Sequence, residues 1–269
     1  MNEANFFKGL SKPTARWFRS TFAGPTEGQT LCVPSIVEGK SVLLSSPTGS
    51  GKTLAGFLGI IDCLSREHRE GNLPAAGIQC IYVSPLRALA YDIEKNLKQP
   101  LEGLGLADVI TVGMRTGDTS SNERAKQRRK PPHILITTPE SLAIVLPQKG
   151  YREALERCRF VIIDELHAFV ENKRGAHLSV SLERLERIGE RDRPICRIGL
   201  SATVSPLDVV GDFLAGSGPS PVIAEARAER KAIVEVLTPL RKHPYPPAGY
   251  TATRVIRDMA RIVDRNRAT

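Results

Sequence analysis

Short apolar runs rich in β-branched residues punctuate the chain at Val42–Leu44, Ile78–Val83, Val109–Val112, Ile134–Ile136, Phe160–Ile163, Ile195–Leu200 and Val222–Ala224. Between most of them apolar positions recur at helical spacing, as in Leu54–Leu64, Leu86–Leu97, Ser141–Leu146 and Leu178–Ile188. A strand buried on both faces reads as a continuous apolar run, whereas a helix lying on a sheet shows a period near 3.6. The alternation predicts an α/β fold, a mostly parallel sheet with helices on both faces. Such sheets bind ligands at the carboxyl ends of their strands, so the residues following each run are where chemistry is expected.

Composition changes this picture only slightly. Hydrophobic residues make up 41% and charged residues 25% of 269, as in ordinary globular chains and unlike disordered ones. No apolar run approaches the roughly 20 residues of a membrane span. The N-terminus, MNEANFFKGLSKPTARWF, lacks the pattern of a secretory signal, so a cytoplasmic location and no membrane contact are expected. The cysteines Cys32, Cys63, Cys80, Cys158 and Cys196 form no C-x-x-C pair and read as buried free thiols. A net charge of +9 favours a polyanionic partner. The run Glu123–Lys130, with five basic residues and one acid, reads as a helix with a solvated face, ended by Pro131-Pro132.

The pattern breaks at SGPSP after Gly216 and again at HPYPPAG around Pro244–Pro247, which reads as a linker. Beyond it Val255, Ile256, Met259, Ile262 and Val263 fall on one face of a helix. The expected division is a first domain over 1–225 and a linker with a further helix over 226–269.

The strand Val42–Leu44 runs into SSPTGSGKT (Ser45–Thr53) and then a helical pattern. Glycines at 49 and 51 let the backbone curl so that the N–H groups of Thr48, Gly49, Ser50 and Gly51 face a triphosphate, with the helix dipole adding to the attraction. Lys52 is expected to reach the β- and γ-phosphates, and Thr53 to ligate Mg²⁺. Ser46 stands where a Gly or Ala is usual, a small-for-small change. The strand FVIID ends at Asp164-Glu165-Leu166-His167. Carboxylates so placed suit nucleotide hydrolysis: Asp164 holds the metal and Glu165 orients and deprotonates the attacking water. After Ile198–Leu200 come Ser201-Ala202-Thr203, whose hydroxyls either couple to the acidic pair or merely cap a helix.

In order along the chain, PTEGQ (Pro25–Gln29), SPTGSGKT, SPLRALA (Ser84–Ala90), RTGDT (Arg115–Thr119), TTPESL (Thr137–Leu142), DELH, NKRGAHLSVSLERL (Asn172–Leu185) and RIGLSATVSPLDVV (Arg197–Val210) resemble the motifs of superfamily-two helicases. The Asn172–Leu185 stretch and His167 favour the large-helicase-related (Lhr) branch near the Ski2-like enzymes. The resemblance implies a RecA-like P-loop NTPase domain that binds ATP and Mg²⁺ and grips single-stranded DNA or RNA, or a hybrid duplex. It implies that Gln29 reads adenine, that Arg87, Thr116, Gly117, Thr138 and Glu140 meet the strand backbone, and that Ser201, Thr203 and His167 couple the nucleotide to the strand. Phe22 is either a stacking neighbour of the base or part of the core. Arg174 either faces nucleic acid or forms a structural ion pair.

The resemblance further implies a second RecA-like lobe with an arginine finger, followed by accessory domains. Nothing in the 269 residues represents these, 226–269 reads as the approach to that lobe, and feeble turnover is expected of this stretch alone. Three functional classes remain open: an ATP-driven translocase lobe, a nucleic-acid-binding module without meaningful turnover, and a P-loop ATPase acting on proteins. SPLRALA and TTPESL speak against the last.

Overall fold

The structure, a computed structural model, describes residues 3–189, 193–226 and 250–265, with the side chains of 87–92, 95, 250–254 and 265 outside that description. Seven strands, β1 (Val42–Ser45), β2 (Cys80–Val83), β3 (Val112–Arg115), β4 (Ile134–Thr137), β5 (Phe160–Ile163), β6 (Cys196–Ser201) and β7 (Val222–Glu225), form one sheet. Its order is β3-β4-β2-β5-β6-β1-β7, and every pairing is parallel.

Side-chain alternation divides the core in two. Val42, Leu44, Tyr82, Ile136, Ile162 and Ile198 face the helices α3 (Glu27–Val37), α4 (Lys52–Arg69) and α5 (Arg87–Gly103). Leu43, Ile81, Val83, Leu135, Val161 and Ile163 face α7 (Pro139–Val145), α8 (Lys149–Glu156), α9 (Lys173–Glu186) and α10 (Leu207–Ala215). The predicted helices on both faces are therefore present, and Leu178, Leu182 and Leu185 form a buried stripe on α9. Two N-terminal helices, α1 (Glu3–Gly9) and α2 (Lys12–Thr21), build a satellite core of Phe6, Trp17 and Phe18 against Val33 and Leu58.

The run Val109–Val112 is displaced from the expected strand. Val109 and Ile110 instead close a turn on the Leu106 carbonyl, and the strand begins at Val112. As the sheet's edge, β3 is only half-buried until Arg115, so its apolar signal is weak. The basic run forms α6 (Ser121–Arg129), capped by Ser120, whose hydroxyl accepts from the Glu123 N–H at 3.2 Å. Helix α8 went unread because two turns carry only Tyr151, Ala154 and Leu155 as buried positions.

Among the described residues no cysteine forms a disulfide; Cys32, Cys80, Cys158 and Cys196 are buried and Cys63, against expectation, is half-buried. Burial pushes the Cys63 thiol up to about 11 and Cys196 up to about 12, which leaves little thiolate at neutral pH. No described helix is long and apolar enough to cross a membrane. The last helix, α11 (Tyr250–Arg265), belongs to a second unit and begins earlier than the predicted Thr253; its Ile256, Met259, Ile262 and Val263 are exposed. The linker reading around Pro244–Pro247 lies outside the described residues.

Candidate functional site

The topology places three loops side by side. β6 lies between β1 and β5, so the segment after β6 separates the glycine-rich loop from the acidic pair by single strand spacings of roughly 4.8 Å. The Ser46 N–H donates to the Ser201 carbonyl at 3.1 Å, and the Ser45 hydroxyl to the Ala202 carbonyl at 3.5 Å, stitching loop to strand end.

Within the loop Gly49 and Gly51 take φ of +74° and +80°, which disfavour any residue with a Cβ. At Gly51 a Cβ would also come within 3.0 Å of the Gln29 amide nitrogen. Ser46, the atypical residue, is buried and its hydroxyl meets that of Ser50 at 2.6 Å, tying the loop across its own turn. Lys52 is buried at the start of α4, and its ammonium donates to the carbonyls of Ser46 at 2.8 Å and Pro47 at 3.0 Å. Burial pulls its pKa below the ordinary lysine value, while Glu165 and Asp164 pull the other way.

A cavity of about 430 Å³ opens in front of the loop. Its lining combines Thr48, Gly49, Gly51, Lys52, Thr53, Asp164 and Glu165 with the apolar Trp17, Phe22, Phe57, Leu97 and Pro100. Phe22 lines this cavity and also packs on Phe18 with ring centroids 4.9 Å apart, as its core reading expects. Gln29 is buried and is not among the residues lining this cavity. Its side-chain oxygen accepts from the Thr26 N–H at 3.0 Å in a capping box that starts α3, which leaves the amide nitrogen directed at Gly51.

The acidic pair is unusually held. Glu165 has φ 47° and ψ 47°, a left-handed conformation that costs a non-glycine residue roughly 1–2 kcal/mol. Its N–H donates to the Asp164 carboxylate at 3.0 Å. The other Asp164 oxygen accepts from the Tyr82 hydroxyl. Tyr82 is fully buried on β2 and stacks on Phe57 of α4 at 5.2 Å. Burial, with the Asp164 and Glu165 charges adding to it, holds the phenol well above its ordinary value, so it stays a donor. Sequence reading missed this residue, although a tyrosine inside a buried central strand signals a hydroxyl in need of a partner.

The coupling residues divide. The His167 ring nitrogen Nδ1 lies 3.1 Å from the Ser201 hydroxyl and 3.5 Å from the Glu165 carboxylate. Ser201 therefore reaches the acidic pair through His167 and not by a direct bond, a correction to the expected contact. Thr203 is exposed beyond it.

The expected strand-binding residues lie at the ends of β3 and β4 and on the helices beside them. Thr116 and Gly117 follow β3 in a loop closed by the Thr116 N–H to the Thr119 hydroxyl at 2.9 Å. Thr138 is buried and caps α7, its hydroxyl accepting from the Ser141 N–H at 3.4 Å. Glu140 and Arg174 pair with each other at 2.7 Å, and Arg174 also donates to the Pro85 carbonyl at 2.9 Å, while both side chains stay about half exposed. Partial burial raises the Glu140 carboxyl, but bonds from Arg174, its own backbone and Thr138 bring it below the ordinary glutamate value. Arg87 opens α5, and its side chain lies outside the described residues. Gly175 lets α9 begin tight against the preceding turn, where a Cβ would fall 1.7 Å from the Phe169 carbonyl oxygen.

Residues 26–210 match the model of the DEAD/DEAH box helicase family. The chain belongs to that family. This helicase domain is 41% identical over 277 residues to the ATP-dependent helicase Lhr-Core of Methanocaldococcus jannaschii, a match covering 100% of this chain and 32% of the relative. It is 47% identical over 236 residues to an Lhr helicase/probable uracil glycosylase of Mycolicibacterium smegmatis, covering 85% of this chain and 15% of that one. Among solved structures, Mycobacterium smegmatis helicase Lhr bound to ssDNA and AMP-PNP superposes with a TM-score of 0.82 at 40% identity, covering 97% of this chain and 33% of that chain. The helicase domain is thus RecA-like and of the Lhr branch, and it spans about a third of the length of the Methanocaldococcus relative.

Proposed function

We propose that this chain is the ATP-binding motor lobe of a nucleic-acid translocase, with a single strand of DNA or RNA as its track. The observation that carries the reading is the meeting of the glycine-rich loop and the Asp164-Glu165 pair on one cavity, with the Ser201 strand end tied to the loop by the Ser46 N–H. The lining of that cavity combines phosphate-directed donors with apolar side chains suited to a base. The bound forms of the Lhr relative, single-stranded DNA and a nucleotide analogue, agree with both halves of the proposal.

In this reading the N–H groups of Thr48 to Gly51 and the Lys52 ammonium bind the triphosphate, while Gln29 holds the Gly51 corner and reads adenine. Glu165 takes the proton of the attacking water. The residues present suit Mg²⁺, because the Thr53 hydroxyl and the Asp164 carboxylate supply hard oxygen donors in the lining of the same cavity. The metal would neutralise charge on the phosphates. Thr116, Gly117, Thr138 and the Glu140–Arg174 pair mark the strand track beyond β3 and β4, and His167 with Ser201 forms the contact through which the nucleotide state passes towards it.

The direct test is ATP turnover with and without a homopolymer strand, alongside strand affinity against salt. With the second lobe present stimulated turnover is expected, and log affinity should fall against log salt by roughly 0.7 per neutralised phosphate. Binding without turnover would favour a simple binding module. Indifference to the strand would favour an ATPase with protein partners.

Tyr82→Phe gives a finer test. Phenylalanine keeps the stack on Phe57 and deletes only the hydroxyl that fixes the Asp164 carboxylate, so the fold should persist. Partners one layer behind a ligand typically tune metal affinity by about 10–100-fold. The Mg²⁺ concentration that half-saturates nucleotide binding should rise about tenfold, and an unchanged Mg²⁺ titration would remove Tyr82 from the site.

A further inference from the structure

The edge strand β3 ends on Arg115, which is 5% exposed and whose Nη1 is buried with no hydrogen-bond partner. The rest of the guanidinium is held by Tyr151, whose ring centroid lies 6.0 Å from its central carbon, but a buried charge is seldom kept without a counter-charge. The side chain lines a cavity of about 470 Å³ with Arg124 and Arg128 of α6 and Lys149 of α8, and no carboxylate is among its lining residues. Burial pulls the Arg115 guanidinium below its ordinary value; Tyr151 opposes that, and Arg124 and Arg128 add to it.

The walls are fixed. Arg124 donates to the Thr119 carbonyl at 2.7 Å and the Gly117 carbonyl at 2.9 Å, which holds it over the loop after β3. The stem of Arg128 lies across Gly150, where a Cβ would sit 3.6 Å from its Cδ. The first turn of the eight-residue helix α8 opens on the same cavity at Lys149 and Gly150, and no side chain caps it. Guanidinium forks, an ammonium and uncapped N–H groups together match the oxygens of a phosphate. β3 lies five strand positions from β1, roughly 24 Å at the usual spacing, so the triphosphate held after β1 does not reach this cavity.

We propose that this cavity is a phosphate seat that takes a backbone phosphodiester of the nucleic-acid strand, just beyond the track at Thr116 and Gly117. The seat rests on the strand-binding reading above and extends it to residues outside the helicase motifs on α6 and α8. It adds affinity without sequence preference, as phosphate contacts do.

The test uses labelled oligothymidylate and oligouridylate of increasing length with the 269-residue chain. Arg128→Glu combined with Lys149→Glu alters two exposed side chains and should fold normally. It should bind long strands about tenfold more weakly, bind the shortest strands unchanged, and show a salt slope shallower by roughly 0.7 for each phosphate lost. Arg115→Met should show the same loss of long-strand affinity while melting at or above the wild-type temperature, because it removes a buried charge with no carboxylate beside it in the cavity. Equal affinities and slopes in the double variant overturn the seat while leaving the strand-binding reading intact. Wild type that binds no strand overturns both. Inorganic phosphate that raises the wild-type melting temperature but not that of Arg115→Met, with strand binding equal in all forms, shows a small-anion site and overturns the assignment to nucleic acid.

Discussion

Lys52→Ala is expected to lower nucleotide affinity by at least about 100-fold, equivalent to about 2.7 kcal/mol. The ammonium is the cation in the lining of the cavity, and charge-assisted hydrogen bonds are worth about 1.5–3 kcal/mol each. It also bridges the Ser46 and Pro47 carbonyls, so its removal loosens the loop that presents the N–H groups. Arginine should not rescue, because a planar fork cannot replace a compact ammonium between those two carbonyls. Titration with a fluorescent non-hydrolysable nucleotide reads the effect. Wild-type affinity in Lys52→Ala would place the triphosphate somewhere other than the Ser45–Thr53 loop.

Glu165→Gln separates binding from chemistry. Glutamine keeps the size of the side chain and leaves the backbone bond from residue 165 to the Asp164 carboxylate in place, so nucleotide affinity should change by less than about threefold. It cannot take a proton, and losing a positioned general base costs about 10²–10⁴ in rate. In a longer form of the protein that carries the second lobe, strand-stimulated hydrolysis should fall by that factor with little change in half-saturating ATP, as befits a group that acts only in the transition state. Normal turnover would transfer the base to another residue. The left-handed backbone at 165 gives a control: Glu165→Gly should be as inactive as the glutamine variant without losing stability on account of its conformation.

The local signals for this fold were strong where burial is two-sided. β1, β2, β4 and β5 are buried along their whole length and register as nearly unbroken apolar runs, while β6, equally buried, interrupts its run with Arg197, which pairs with Glu183 and Glu186. The glycine-rich loop was equally legible, since positive φ at 49 and 51 and a lysine at a helix start leave few other residues able to serve. β3 was placed too early because an edge strand with one half-exposed face carries no such run. The Glu140–Arg174 pair and the isolation of Thr203 were beyond local reading, for their partners are decided by which helices adjoin.

The sequence by itself determined the class of the fold, the buried strands, the glycine-rich loop and the position of the acidic pair at a strand end, because these depend on short-range patterns and on backbone conformations that few residues adopt. Only the tertiary structure decided strand order. The Ser201 segment comes long after the phosphate loop in the chain, yet parallel pairing of β6 with both β1 and β5 inserts it between loop and acids. The same packing brought Tyr82 to Asp164 across 82 positions, and Arg115 to the rim of α6 and α8. Contacts of this kind come from crossover connections that cover the sheet on both faces, and their endpoints leave no periodic trace in the residues that make them.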